Sequence, residues 1–163
     1  MRSRKSDNEI KVMRAAGAAS GAAMTAVMRA VRPGLAESEA QAVFEFECAR
    51  RGAARQAYVP VFASGRNALM IHYVRNDSLL GDADVMSVDA GCEMHGYASD
   101  ITRTMPTSAD GVFSGPQRDL YEALLRVLKG CTALATANQG YSLSGLHRRS
   151  VETGSYTHLT LPT

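Results

Sequence analysis

The chain has 163 residues, of which 45% are apolar and 21% charged, enough for one domain with a real core but short of a comfortable two. A net charge of +2 without a long Lys/Arg run excludes a basic nucleic-acid arm and an electrostatic hold on an anionic membrane. No apolar run reaches the ~18 residues that a membrane span needs, and Cys48, Cys92 and Cys131 are widely spaced with no C-x-x-C pair, which predicts a reducing, cytoplasmic setting without a disulfide framework or zinc ribbon.

In chain order, Ser6-Asp7-Asn8-Glu9 reads as a capping box that opens a first helix. Arg2, Arg4, Lys5, Lys11 and Arg14 fit a solvated face, while Ile10, Met13, Ala16, Gly17, Met24, Val27, Met28 and Val31 keep helical spacing until Pro33-Gly34 stops it. A second helix is predicted from about Ala36 to Arg51, with Val43, Phe44, Phe46 and Cys48 on its buried side. From Ala57 the pattern shortens to β-like runs, "AYVPVFASG", "ALMIHYV", "ADVMSVDAG" and "GYASDITRTMP", punctuated by Gly, Asn and Asp, which predicts an antiparallel sheet. Ser114-Gly115-Pro116-Gln117 is a second capping signature, and Leu120, Leu124, Leu125, Val127, Leu128, Cys131 and Leu134 carry a third helix toward Gly140. The order predicts an α+β fold, helices on one face of an antiparallel sheet, in a single unit over residues 1–150. Residues 151–163 break the apolar rhythm and read as an aberrant tail, the product of a frameshift, a chimeric join or truncation.

The stretch "VDAGCEMHGYASDITRT" sets Asp89 and Asp100 on either side of a short turn. A hairpin centred on Met94-His95 would place the two aspartates directly opposite each other, on the same face. Two carboxylates that close repel, and a divalent cation, or two, removes the cost. Carboxylate oxygens are hard donors suited to Mn²⁺, Mg²⁺ or Co²⁺ and able to hold Zn²⁺, and they can bridge two metals. On spacing alone an exposed hairpin with two incidental aspartates remains the alternative. His95 is expected at the exposed turn, Cys92 as a turn residue without a base partner, and Arg103 on the face away from Asp100.

The D-x-G start of this stretch, its Tyr-x-Ser-Asp-x-Thr-Arg-Thr ending and the interval between the aspartates resemble a signature of the pita-bread metallopeptidases, in the branch of aminopeptidase P (Xaa-Pro aminopeptidase) and prolidase. "RNALMIHYVRND" upstream and "FSGPQRDLYEALLRV" downstream resemble the same branch, so the likeness runs from about Lys5 to Ser150. It implies the first half of a pita-bread catalytic domain and a metal-dependent aminopeptidase that releases the N-terminal residue from peptides with proline in second place. Two divalent ions are implied as cofactors, manganese first, with Co²⁺ or Zn²⁺ open. Asp89 and Asp100 match the first two of five metal ligands, with Asp100 bridging; His72 matches a histidine beside the scissile bond that helps stabilise the reacting amide; Tyr58 matches a substrate-pocket tyrosine. From the residues alone, His72 can equally be an ordinary strand histidine and Tyr58 a core aromatic with a bonded hydroxyl.

The likeness also implies a second half carrying a histidine and two glutamates, and His147, Glu152 and His158 lie outside any matching context. The isolated chain is therefore expected to be inactive or nearly so, with exposed apolar surface. Peptide is the implied partner, with no nucleic acid and no membrane, and a homo-oligomer of the full-length enzyme stays open. A prolidase-type dipeptidase and a non-catalytic pita-bread binding module are the alternative functions.

Overall fold

A computed structural model describes residues 4–135 and 140–158, the last four of these by backbone alone. The chain divides into two compact units, Met1–Val112 and Phe113–Thr163, and each is described by itself.

The first unit opens with helix α1 (Asp7–Ala30), capped as its sequence predicts. The Ser6 backbone N–H donates to Glu9 Oε2 at 2.6 Å and the Glu9 N–H to Ser6 Oγ at 3.4 Å. Glu9 is used twice, because the Tyr97 hydroxyl donates to its Oε1 at 2.5 Å and ties α1 to the sheet. That bond, ahead of those from Ser6, pulls the Glu9 carboxyl down to about 2. The buried face of α1 is made mostly of small side chains, Ala16, Ala19, Ser20 and Ala23, with Met24 and Val27. Ile10, Met13 and Met28, expected in the core, lie about 40% exposed instead (39%, 40% and 43%). Small residues let the helix axis approach the sheet closely, which leaves the flanking long side chains at the rim. Helix α2 (Glu37–Ala49) buries Phe44 and Cys48, with Val43 packed against the same core. Phe46, expected to be buried, is 64% exposed because it lies on the far side of the helix.

Six strands follow: β1 (Arg55–Gln56), β2 (Val61–Ser64), β3 (Val85–Ala90), β4 (Cys92–Met94), β5 (Tyr97–Ala98) and β6 (Ile101–Pro106). They form two antiparallel three-stranded sheets, β1-β4-β5 and β2-β3-β6. Along β3, Met86, Val88 and Ala90 are buried while Ser87 and Asp89 are half-buried, the period-2 alternation of a strand with one face on a core. The core face packs on the helices, where Phe62 meets Phe44 edge to face at 6.1 Å. The helix-covered antiparallel sheet of the expected α+β class is thus present.

One run departs from expectation. "ALMIHYV" is not a strand: it falls on a 3₁₀ turn (Gly65–Leu69) and the turn after it, with Leu69 84% and Ile71 86% exposed. Its shape is imposed by the buried carboxylate of Glu37, which accepts hydrogen bonds from Ser64, Asn67, Tyr73 and Ser78. This segment carries His72.

In the second unit, α3 (Gly115–Leu134) starts at the Ser114/Gln117 capping box with Pro116 in its first turn, and Phe113 stacks on Tyr121 at 4.8 Å. Leu120, Leu124 and Leu128, at i, i+4 and i+8, are all exposed. A further helix, α4 (Leu143–His158), was not signalled by apolar periodicity. The Ser142 hydroxyl accepts the Gly145 N–H at 3.1 Å at its start, and the helix runs through residues 150 and 151.

Burial alone would raise the Glu37 carboxyl, but the donors from Ser64, Asn67 and Tyr73 outweigh it and hold it below its ordinary value. A carboxyl depressed by folding contributes stability that is complete above its unfolded value of about 4.3 and is lost as pH falls through the folded value. Urea midpoints should therefore drop on acidification below about pH 4.3. Glu37→Gln should cost about 3 kcal/mol at pH 7 and flatten part of that acid dependence; an unchanged acid limb would refute the assignment.

Candidate metal centre

The site is built at the crossing of the long hairpin. His95 and Gly96 both take positive φ, 49° and 84°, as the two central positions of a type I′ hairpin turn require. The turn therefore centres on His95-Gly96, not on Met94-His95, and the pairing shifts by two residues. Asp89 lies opposite Thr102, not Asp100. The same register carried between the β3–β6 and β4–β5 ladders sets Gly91 opposite Asp100.

The two aspartates still converge, by another route. A residue diagonal to the direct partner remains within reach on the same face of a sheet, and Asp100 is diagonal to Asp89 through Thr102. The Tyr58 hydroxyl closes the gap, at 2.5 Å from Asp89 Oδ1 and 3.1 Å from Asp100 Oδ1. One phenol carries one proton, so both carboxylates lean on a single donor. Burial, then the bond to Asp89 and the charges of both aspartates, push the Tyr58 hydroxyl above its ordinary value and keep it protonated.

Tyr58 reaches this point because the link between β1 and β2 is pinned: the Ala57 N–H donates to the Gly91 carbonyl at 2.9 Å. Gly91 itself has no room for a side chain, since a Cβ there would fall 1.8 Å from the Ser99 carbonyl oxygen. That close approach is the physical reason for the glycine in D-x-G. Cys92, expected in the turn, is instead buried in β4, its N–H donating to Ser20 Oγ at 3.1 Å and Ser99 Oγ at 3.0 Å.

Beside Asp89 the open sheet face forms a groove of about 260 Å³ whose walls include Val61, Ala63, Leu69, Ile71 and Thr102. Tyr58, Asp89 and Asp100 thus come together. His72 does not join them: it is exposed on the turn, next in the chain to Ile71 of the groove wall. Thr102, facing Asp89 across the ladder, went unnoticed in the sequence, although the left-handed His95-Gly96 pair was the signal that would have found it.

As a donor set, two converging hard oxygens with a neutral hydroxyl between them fit part of a divalent-cation site. They do not complete one, for among the described residues no group of three or more His, Cys, Asp or Glu side chains could hold a metal ion.

A helix-backed antiparallel hairpin that presents paired carboxylates on its open face is the first half of a pita-bread metallopeptidase fold. The chain belongs to metallopeptidase family M24, which matches residues 11–160. It is 43% identical over 129 residues to a probable Xaa-Pro aminopeptidase PEPP of Verticillium alfalfae, covering 79% of this chain and 23% of that protein. Xaa-Pro aminopeptidase 3 of Mus musculus is 41% identical over 143 residues, 88% of this chain and 28% of its own length. Among solved structures, zinc-substituted Escherichia coli aminopeptidase P in complex with product superposes with a TM-score of 0.90 at 34% identity, covering 96% of this chain and 35% of that one. The chain thus spans about a quarter to a third of the length of these relatives.

Gly91→Ala should destabilise the first unit by about 3 kcal/mol, because backbone rather than a flexible side chain must move. Urea unfolding checks this, and a midpoint within error of the unsubstituted chain would refute the close approach.

Proposed function

We propose that this chain supplies the first half of the active site of a manganese-dependent Xaa-Pro aminopeptidase. The observation that carries the reading is the convergence of Asp89 and Asp100 on one hydroxyl, with Asp89 lining an open groove. Divalent cations, when bound, supply water activation and polarisation of the scissile carbonyl. Asp89 and Asp100 hold them, and neither is assigned a proton transfer. Tyr58 orients the two carboxylates rather than forming a wall of the substrate pocket alone. The apolar side of the groove, Val61, Ala63, Leu69 and Ile71, suits the proline ring in second position of a peptide. His72, next in the chain to Ile71 of the groove wall, is assigned the hydrogen bond to the reacting amide of a bound peptide. Three free thiols, Cys48, Cys92 and Cys131, are compatible with a reducing compartment, and we place the protein in the cytoplasm, a point that fractionation of source cells decides.

Metal content and turnover test the reading together. In a full-length protein containing this chain, Asp89→Asn should lose bound manganese on dialysis and lower kcat/KM on an Xaa-Pro tripeptide by about 10³-fold or more. Tyr58→Phe should weaken metal affinity by about tenfold, and the isolated chain should show no turnover. Retention of both metal and activity by Asp89→Asn would sink the assignment, and exclusive cleavage of dipeptides would redirect it to a prolidase-type enzyme.

A further inference from the structure

The geometry points to Glu37 as the residue that positions His72, an inference that rests on the role given to His72 above. Glu37 stands in the first turn of α2 and is completely buried. A carboxylate taken that far from water persists only if its oxygens are satisfied by donors. Its Oε1 accepts from the Ser64 N–H at 2.7 Å, the Ser64 hydroxyl at 2.7 Å and the Asn67 amide at 3.1 Å. Its Oε2 accepts from the Tyr73 hydroxyl at 2.7 Å and the Ser78 N–H at 3.0 Å.

All five donors come from one segment, residues 64 to 78, and they grip its start, its middle and its end. Tyr73 is the decisive grip. It is 5% exposed, and its N–H donates to the Met70 carbonyl at 3.3 Å, closing a turn around Ile71 and His72. With Tyr73 drawn inward to Glu37, its neighbour His72 is turned outward, next in the chain to Ile71 of the groove wall. Asn67 braces the same point, donating to the Tyr73 hydroxyl at 3.1 Å and to Ser78 Oγ at 3.0 Å. A carboxylate suits this point because it only accepts; a glutamine in its place would set its NH₂ group against the backbone N–H of Ser64 or of Ser78, neither of which has a lone pair to offer. Glu37 is thus a positioning residue, acting through Tyr73 on a side chain it does not touch.

Hydrogen exchange and histidine NMR of the whole chain, without metal or peptide, test this. In Tyr73→Phe, amide exchange over residues 70–74 should accelerate about tenfold while β3 and β6 keep their protection, and the His72 imidazole resonances should move toward those of a free peptide. Glu37→Gln should do the same more strongly. If Glu37→Gln does not fold, Tyr73→Phe, which keeps the carboxylate, decides alone. Unchanged His72 resonances with unchanged local exchange would overturn the inference, as would acceleration spread evenly through β3 and β6, which would make Glu37 a general fold stabiliser. Because no metal enters the measurement, its failure is distinct from failure of the metal-site reading.

Discussion

The contact on which the site depends is the approach of the Ser99 carbonyl to the space beside Gly91 where any other residue would carry a Cβ. Four pieces of the chain meet there. The Gly91 carbonyl receives the Ala57 N–H and so fixes the link that carries Tyr58. One residue on, the Cys92 N–H is received by the hydroxyls of Ser20 and Ser99, which lie 2.7 Å from each other, so α1 is bolted to the same crossing. Asp89 precedes the crossing on one strand and Asp100 follows it on the other. A glycine at this point therefore does more than permit a turn: it lets two strands and a helix close on one another tightly enough for carboxylates that are not ladder partners to share one hydroxyl.

How much of this could be read from the residues differs with the range of the interaction. The starts of α1 and α3 were legible because a capping box is complete within four residues, and β3 was legible because Met86, Val88 and Ala90 alternate with polar neighbours. The pairing of Asp89 was misjudged by two positions because the turn was centred on Met94-His95, when the pair able to take positive φ is His95-Gly96. The aspartates nonetheless converge, since what joins them is Tyr58, some thirty residues before Asp89, and no local pattern announces a phenol that will fold back onto a strand. The "ALMIHYV" run was misread for the same kind of reason. Its apolar residues suggest a strand, but its course is dictated by Glu37 from another element. Helix α4 is polar on average, and Leu143, Leu146 and Val151 are too sparse an apolar set to announce it.

The apolar surface divides along similar lines. On α1 the buried stripe is mostly alanine and serine, joined by Met24 and Val27, and suits a backbone that lies close to a sheet. On α3 the stripe is Leu120, Leu124 and Leu128, larger side chains at the same helical spacing and exposed. Around the groove, Leu69 and Ile71 are exposed too. Burying such side chains is worth roughly 1.5 to 3 kcal/mol each, so these faces favour further packing.

The unit also handles carboxylates in two opposite ways, and the contrast separates structure from chemistry. Glu37 is sealed from water and met by five donors, so its charge is spent on holding a segment in place and nothing is left over for a ligand. Asp89 and Asp100 are only partly covered and share a single proton donor between four oxygens. Hydrogen bonding that falls this far short of the available lone pairs leaves acceptor capacity facing the groove, together with a repulsion that a cation would relieve. Donors crowd around Glu37 and are sparse around Asp89 and Asp100. That difference in satisfaction, more than the mere presence of acidic residues, is what supports the metal-binding role proposed for Asp89 and Asp100.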